Sequence, residues 1–184
     1  MTKIALFGDT GMVGSEIETI LQHHGQVSIA YRQNSKRSEG SIKNCDLAFL
    51  ATQEAESMMY VPELLAAGIR VIDLSGAFRL PQELFEKWYK MRHTAPELLG
   101  QAVYGLPAYF AEQIAKTQLV ANPGCYPTAV TLALKPLEGL VQGIVRISAT
   151  SGNSGDRKPA EPISNEETYS YGTKHKHVPE TSLH

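Results

Sequence analysis

The chain has 184 residues, of which 42% are hydrophobic and 20% are charged, and its formal net charge is −2 at pH 7. This length can form one well-packed core, or one complete domain and part of another. The small net charge excludes a strongly basic protein, so we expect neither nucleic acid nor a membrane surface as a partner. Before Gly8 the N-terminus has only a short apolar run, residues 4–7, too short for a signal peptide or a membrane span, which predicts a cytoplasmic protein.

The two cysteines, Cys45 and Cys125, lie in different sequence contexts. Neither belongs to a Cys-x-x-Cys pair or to the Cys/His spacing of a zinc site. We therefore expect two free thiols, with no disulfide framework and no metal.

A glycine turn follows the first predicted strand, residues 3–7, and leads into a helix whose apolar face is Val13, Ile17, Ile20 and Leu21. Strand, glycine turn and helix arrive in the order of a dinucleotide site. The first glycines let backbone approach a pyrophosphate, the last lets the helix pack on the sheet, and the helix N-terminus holds phosphates. Turns with three glycines also occur by chance. The predicted cofactor-binding residues are Gly8, Thr10, Gly11, Met12, Val13 and Gly14.

The second predicted strand, residues 27–31, is followed by Arg32, Lys36 and Arg37. An NAD-binding unit places an acidic residue there, whereas basic groups suit a 2′-phosphate. We therefore predict NADP(H) as the cofactor, with Arg32 as a ligand, and a solvated basic loop is the alternative. Residues 33–46 are polar and are predicted to be mostly loop.

Two further strands are predicted at residues 47–51 and 70–74, with a helix over about residues 54–67 that Pro62 breaks into two pieces. The β-α-β-α-β alternation predicts an α/β fold with a parallel sheet covered on both faces. Ser75 follows the carboxyl end of the fourth strand, where such folds place ligands. It is a candidate cofactor neighbour or, alternatively, a helix cap.

Residues 81–118 show weaker periodicity. We predict helices near residues 82–91 and 108–115 and an irregular segment at residues 103–107. No chemistry is assigned to Trp88 or His93, because such residues more often pack or lie at the surface.

Cys125 lies where a strand, residues 119–121, turns through Asn-Pro-Gly into a helix predicted from Thr128 and closed by Pro136. Free N–H groups and the helix dipole favour an anion there, so the thiol should ionise more easily than that of a free cysteine. We interpret Cys125 as a candidate nucleophile. The alternative is a small buried cysteine that fills a gap.

Residues 143–149 alternate as a predicted strand and lead into a loop rich in hydroxyls, glycine and cations. This loop could hold a phosphate or be a flexible surface loop. Ser151, Gly152 and Arg157 are its candidate substrate contacts.

His175 and His177 share one face if their segment is extended, and Glu180 follows them. A metal would need a third ligand, which the sequence does not offer. Acid/base work by an imidazole that Glu180 orients is the preferred interpretation, and a surface polar cluster is the alternative.

Taken together, these motifs resemble N-acetyl-γ-glutamyl-phosphate reductase of arginine biosynthesis over the whole chain. The Gly-Cys-Tyr-Pro-Thr block separates this family from the more distant aspartate-semialdehyde dehydrogenases. The resemblance rests on Gly8-Asp9-Thr10-Gly11-Met12-Val13-Gly14, Val71-Ile72-Asp73-Leu74-Ser75-x-x-Phe78-Arg79-Leu80, Val103-Tyr104-Gly105-Leu106-Pro107, Asn122-Pro123-Gly124-Cys125-Tyr126-Pro127-Thr128, Ser151-Gly152-x-Ser154-Gly155 and His175-x-His177-x-Pro179-Glu180.

The resemblance implies an NADP-binding Rossmann-type domain, residues 1–124, followed by the first part of an α+β catalytic domain, residues 125–184. It implies Cys125 as the nucleophile that forms a thioester from a small-molecule acyl phosphate, and His175 as the acid/base. His177 and Glu180 are further candidate substrate contacts. A homo-oligomer is expected. The family continues well beyond the position of His184, so we expect a fragment or a truncated relative. The alternatives are a reductase of aminoadipyl or aspartyl phosphate, or a non-catalytic nucleotide-binding or subunit-interaction module.

Overall fold

The computed structural model describes residues 1–152, 170 and 172–184. These residues form two compact units, Met1–Gly124 and Cys125–His184.

The first unit is built on one sheet. Its neighbouring strands lie in the order β3-β2-β1-β4-β5-β7-β6, and every pair is parallel except β2 and β3. A parallel sheet is covered on both faces, so side chains on both sides of its central strands are buried, and apolar residues predominate there. The α/β fold with a Rossmann-type sheet, predicted from the sequence, is confirmed. The strands are β1 (Thr2–Phe7), β2 (Val27–Gln33), β3 (Ser38–Gly40), β4 (Leu47–Leu50), β5 (Arg70–Asp73), β6 (Ala102–Tyr104) and β7 (Leu119–Ala121).

Helices and a continuous apolar core accompany this sheet. The core joins small and branched side chains of the central strands to α2 and to the aromatic residues Phe78 and Phe85. The helices of this unit are α1 (Met12–Gln22), α2 (Glu54–Ala66), α3 (Gln82–Tyr89) and α4 (Pro107–Lys116).

Helix α2 continues through Pro62, so the predicted break is wrong. A proline inside a helix costs roughly 3 kcal/mol through its missing N–H and its ring. Met58, Val61 and Leu64 are almost fully buried on the same helix, and burial of each such side chain contributes about 1.5–3 kcal/mol. Packing of the apolar face therefore outweighs the proline.

The buried stripe of α1 differs from the predicted apolar face. Gly14, Ile17, Glu18 and Leu21 point towards the protein, whereas Val13 and Ile20 are exposed to 52% and 59%. These four residues share one helix face. Gly14 allows the closest approach, so it sets which face of the helix is buried.

Two short strands were not predicted. Residues 33–46 contain β3 and a 3₁₀ turn at Ile42–Asn44 instead of being mostly loop, and Val103 lies in β6 instead of an irregular segment. Both strands lie at the edges of the sheet. An edge strand needs no continuous apolar run, because it pairs on one side only, so the sequence pattern is weak there.

The second unit contains α5 (Cys125–Leu134), a 3₁₀ turn at Lys135–Leu137 and α6 (Val178–Leu183). Helix α5 begins one turn earlier than Thr128, the predicted start. Pro127 therefore lies in its first turn, where the missing N–H removes no helical hydrogen bond.

The strand predicted at residues 143–149 is absent, and these residues are irregular and exposed. Ile144 is exposed to 93% and Ile147 to 51%. An isolated strand is not stable without a neighbour to accept and donate its backbone hydrogen bonds, and no described strand pairs with this segment. Among the described helices, none is long and apolar enough to cross a membrane.

Candidate functional site

The glycine turn after β1 is held tightly against its neighbours. Gly8 has φ +78°, and a Cβ there would overlap the carbonyl of Ala51. A Cβ at Gly14 would overlap the carbonyl of Gly8. The Gly8 N–H donates to the Gln33 carbonyl at 2.7 Å, which joins the turn to the end of β2. Only glycine allows this combination of backbone conformation and close approach.

Helix α1 begins directly behind this turn. Gly11 is its N-cap and supplies no side-chain cap, so the N–H groups of the first turn need another acceptor. Thr10, Gly11, Met12 and Val13 are exposed. The predicted cofactor residues therefore form an accessible helix start of the kind that binds phosphate groups.

Arg32 is the predicted ligand of a 2′-phosphate, and the structure places it in an ion pair with Glu18 of α1. Its Nε donates to Glu18 Oε1 at 2.9 Å, and one terminal nitrogen lies 2.8 Å from the same oxygen. Both side chains are about three-quarters buried. Arg32 thus links β2 to α1, a contact between residues 14 positions apart that the sequence pattern did not reveal.

Four residues around the same strand end form a network that sequence reasoning missed. The Asp9 carboxylate, with only 1% of its side chain exposed, accepts hydrogen bonds from Asn34 Nδ2 at 2.8 Å and from Arg37 at 3.1 Å. A second carboxylate, that of Glu39, also pairs with Arg37. Glu39 is the main cause of the raised pKa of the Arg37 guanidinium, and Asp9 adds to it. The sequence signal that could have revealed this network is an acidic residue in the glycine turn, Asp9, together with the cations that follow the next strand.

Ser75 belongs to a buried polar network at the carboxyl end of β5. Its hydroxyl donates to Asp73 Oδ2 at 2.8 Å and accepts from the Ala77 N–H at 3.1 Å. Burial raises the pKa of the Asp73 carboxyl, against the hydrogen bonds of Ser57 and Ser75. Ser75 caps a turn rather than a helix, and with 2% exposure its hydroxyl is committed to that turn. Cofactor contact by Ser75 stays a prediction.

Arg79 holds the ends of two neighbouring strands together. Its Nε donates to the Asn122 carbonyl and a terminal nitrogen to the Leu74 carbonyl, both at 2.7 Å. Asn122 follows β7 and begins the Asn-Pro-Gly turn. The conformation of that turn is therefore fixed by a guanidinium as well as by Pro123.

Cys125 is the first residue of α5, and its side chain is exposed, whereas Cys45 is buried. Burial raises the pKa of the Cys45 thiol, which lies 3.6 Å from the Ser41 carbonyl oxygen. The sulfur of Cys125 is therefore accessible and that of Cys45 is not, and the role of Cys125 as the nucleophile stays a prediction.

An aromatic cluster surrounds the predicted acid/base. The rings of His175 and His177 lie 4.6 Å apart between centroids, and Tyr126 contacts them edge-on at 5.3 and 5.9 Å. The segment forms turns, so the shared face considered for an extended segment does not apply. The His177 N–H donates to His175 Nδ1 at 3.1 Å. Burial, and to a lesser extent the charge of Lys176, lowers the pKa of His175.

The predicted substrate contacts have different surroundings. Ser151 Oγ accepts a hydrogen bond from the Tyr126 hydroxyl at 2.9 Å, and Gly152 is exposed beside it. Glu180 is fully buried. Arg157 lies outside the described residues. The structure therefore connects Ser151 to the histidine cluster through Tyr126, and the substrate roles stay predictions.

In the described part of the chain, no group of three His, Cys, Asp or Glu side chains could hold a metal ion.

His93 is buried and held within the first unit. Its Nε2 lies 2.9 Å from the Ala77 carbonyl and its Nδ1 accepts from the Ala95 N–H at 3.2 Å.

Comparison with known families shows which proteins the chain is similar to. Residues 33–117 match the family described as "Semialdehyde dehydrogenase, NAD binding domain". Two solved structures share the fold: aspartate semialdehyde dehydrogenase II of Vibrio cholerae, complexed with ASA, with a TM-score of 0.55 and 20% identity, and aspartate semialdehyde dehydrogenase of Candida albicans, with NADP, with a TM-score of 0.58 and 16% identity. Each match covers 76% of this chain and 47% of the other.

Curated relatives narrow this class. The chain is 37% identical to N-acetyl-gamma-glutamyl-phosphate reductase of Thermus thermophilus over 205 residues, which cover 96% of this chain and 59% of the relative. It is 37% identical to the enzyme of the same name from Acidithiobacillus ferrooxidans, over 98% of this chain and 62% of the relative. The resemblance indicated by the motifs is thus confirmed. The chain spans about three-fifths of the length of these relatives.

Proposed function

We propose that this chain carries the nucleotide-binding unit and the cysteine nucleophile of an NADPH-dependent acyl-phosphate reductase. The reaction is the reduction of N-acetyl-γ-glutamyl phosphate to N-acetyl-glutamate semialdehyde with release of phosphate. The observation that carries the proposal is an exposed cysteine in the first turn of a helix, in a chain that also has an uncapped helix start behind a glycine turn. The names of the relatives support the choice of substrate.

The residues of the first unit fit a dinucleotide. A side chain at Gly8 or Gly14 would overlap neighbouring backbone atoms, so glycine keeps the turn compact. The first N–H groups of α1 can donate to a pyrophosphate. Arg32, near the end of β2, is the proposed ligand of a 2′-phosphate, and Arg37 in the loop that follows offers further positive charge. When bound, NADPH supplies the hydride that reduces the acyl group.

Cys125 performs the first chemical step. Its thiolate attacks the carbonyl carbon of the acyl phosphate, a C–S bond forms, and phosphate leaves with the electrons of the broken C–O bond. The N–H groups in the first turn of α5 are the nearest donors for the oxyanion. The product of this step is a thioester on Cys125.

His175 handles protons in the two steps. Its lowered pKa keeps the imidazole neutral at neutral pH, which is the form that can accept the thiol proton. The same group then gives a proton to the oxygen of the reduced thioester and takes it back when the C–S bond breaks to release the aldehyde. Ser151, Gly152, Arg157, His177 and Glu180 are the proposed substrate contacts.

The test is a direct assay of the 184-residue protein. NADPH oxidation is followed after addition of N-acetyl-γ-glutamyl phosphate, aminoadipyl phosphate or aspartyl phosphate, with Cys125→Ala as the matched inactive control. Turnover with the first substrate alone supports the proposal, and a preference for either other acyl phosphate overturns the substrate assignment. NADPH binding without turnover on any substrate supports a non-catalytic module instead.

We also propose a homo-oligomer in the cytoplasm, as the sequence led us to expect. Sedimentation velocity at several protein concentrations measures the oligomeric state. A monomer at all concentrations contradicts the first of these expectations.

A further inference from the structure

Asn122 is held in place from three sides at the carboxyl end of β7. Its N–H donates to the Asp73 carbonyl at 2.8 Å, and its carbonyl accepts from Arg79 Nε at 2.7 Å. A Cβ on Gly105 would lie 3.1 Å from the Asn122 Cα, so the segment that follows β6 packs against the same backbone. The start of the Asn-Pro-Gly turn is therefore fixed by contacts with residues at the ends of both strands that neighbour β7, which are β5 and β6.

The segment that carries Arg79 is itself firmly held. Phe78 and Leu80, on either side of Arg79 in the chain, are buried in the core. A terminal nitrogen of Arg79 donates to the Leu74 carbonyl at 2.7 Å, and the Leu74 N–H donates to the Leu50 carbonyl at 3.0 Å. The guanidinium therefore ties the start of the turn to the ends of β4 and β5.

Both acceptors of these two hydrogen bonds are backbone carbonyls that point at different nitrogens of one guanidinium. A guanidinium is planar and has its N–H donors in fixed directions, so it can hold two carbonyls at once. A lysine ammonium is a point charge on a flexible stem and lacks this fork. The contact therefore depends on the geometry of the arginine side chain more than on its positive charge.

The turn leads into Cys125 over a very short stretch of chain. The ring of Pro123 restricts its φ, and only Gly124 lies between Pro123 and Cys125, the first residue of α5. A displacement of Asn122 is therefore passed on to Cys125 with little loss. Reacting groups must be held within about 0.5 Å of their productive positions, so the place of Asn122 matters for a nucleophile at this position.

We propose that Arg79 is a positioning residue for the nucleophile. By holding the Asn122 carbonyl, it fixes the turn of residues 122–124 and, through this turn, the place of the Cys125 sulfur at the start of α5. The inference rests on the proposed function of Cys125, and it adds a residue that acts on the reaction through the backbone.

The test compares three variants of the full 184-residue protein with the parent. Arg79→Gln removes the fork and the charge, whereas Arg79→Lys keeps the charge without the fork. Arg70→Gln is the matched control, because Arg70 begins the same strand, β5, and also donates to backbone carbonyls, those of Ile114 and Thr117. Urea unfolding identifies conditions in which each variant is folded.

Labelling with iodoacetamide and peptide mass mapping reports on both cysteines in one sample. Arg79→Gln and Arg79→Lys should each slow alkylation of Cys125 about two- to tenfold, because the N–H groups of a helix start stabilise an attacking sulfur only when it keeps its place. The rate at Cys45 should stay at the parental value, which distinguishes a local shift from general unfolding. Arg70→Gln should change neither rate.

Steady-state kinetics of NADPH oxidation give a second readout. The two Arg79 variants should lower kcat about ten- to a hundredfold, the cost of a misplaced reacting group, and should leave KM for the acyl phosphate within about twofold of the parent. Arg70→Gln should leave both constants unchanged.

Gly105→Ala displaces Asn122 without any change of charge. The added methyl would press on the Asn122 Cα from the side opposite to no charged group, so alkylation of Cys125 should slow as in the Arg79 variants. This variant decides the question if the Arg79 variants do not fold: slower alkylation supports the inference, and a parental rate overturns it.

The outcomes separate the inference from the function on which it rests. Slower alkylation of Cys125 in the Arg79 variants of a parent that turns over no acyl phosphate supports the positioning role and overturns the proposed function alone. Parental alkylation rates in both Arg79 variants, or an equal loss in Arg70→Gln, overturn the inference. A raised KM for the acyl phosphate that Arg79→Lys restores, with unchanged kcat and alkylation, also overturns it, because Arg79 would then bind the substrate through its charge.

Discussion

His93 is expected to make the stability of the first unit depend on pH. Its imidazole donates through Nε2 to the Ala77 carbonyl and accepts from the Ala95 N–H, with Phe78 and Phe85 in edge-on contact at 5.4 and 4.9 Å. Burial lowers the pKa of His93 below its usual 6.5. Between pH 6.5 and the lower native pKa, the unfolded chain therefore binds more protons at this position than the native protein does.

The size of this effect follows from proton linkage. One extra proton on the unfolded chain lowers the free energy of unfolding by about 1.4 kcal/mol per pH unit, from pH 6.5 down to the native pKa. His93→Gln keeps an N–H donor but cannot titrate. At pH 7.5 the variant should be less stable than the parent, and the difference in the free energy of unfolding should narrow on going to pH 5.5.

Replacing His93 with alanine should lower the free energy of unfolding by a larger amount. His93→Ala leaves the Ala77 carbonyl and the Ala95 N–H without their partner inside the protein, at about 1–3 kcal/mol each, and opens a cavity between two aromatic rings. We expect a loss of roughly 3–5 kcal/mol at pH 7.5.

Urea unfolding at pH 7.5, 6.5 and 5.5 measures both effects, with the fluorescence of Trp88, the single tryptophan, as the reporter in α3. His24→Gln controls for replacement of an exposed histidine. A gap between the parent and His93→Gln that stays constant or widens towards pH 5.5 would refute the linkage argument.

Three further predictions concern the site. Iodoacetamide should label Cys125 faster than Cys45 at neutral pH, because one sulfur is exposed at a helix start and the other is buried; peptide mass mapping reports both rates, and faster labelling of Cys45 contradicts the assignment. The raised pKa of Asp73 means that the native protein loses stability as this buried carboxyl ionises with rising pH. The stability of Asp73→Asn relative to the parent should therefore be higher at pH 7 than at pH 4, and urea unfolding at these two pH values measures the difference. His175→Asn should lower kcat about a hundredfold to ten-thousandfold, whereas His177→Asn should mainly raise KM; steady-state kinetics showing the reverse would exchange the two roles.

The central strands and the glycine turn were predictable because each leaves a local signal. β1 and β4 contain short apolar runs, β5 has Val71 and Ile72 at its centre, and Gly8 and Gly14 stand at the spacing that a strand, a turn and a helix require. The strand expected at residues 143–149 also has a local signal, the alternation of apolar and polar residues, but no described neighbour to pair with. Pairing partners are a property of the tertiary structure, so alternation alone could not decide this case.

The ion pairs of the arginines near the end of β2 could not be predicted from the sequence. The cations after β2 were visible in the sequence, but their partners were not. Glu18 reaches Arg32 only because α1 packs on the sheet through Gly14, and Asp9 reaches Arg37 only because parallel strands bring the ends of β1 and β2 together. Sequence placed the positive charges correctly and could not tell which of them is already neutralised.

Both edges of the sheet end in strands of three residues, β3 on one side and β6 on the other. An exposed edge strand is a template on which another chain can add a strand, and the hazard grows with its length and flatness. β3 also carries Glu39 and ends in Gly40 at φ +89°, which a regular incoming strand would not match. Aggregation by continued strand addition at the sheet edges is therefore disfavoured in this unit. Any specific self-association is expected to use helix faces instead.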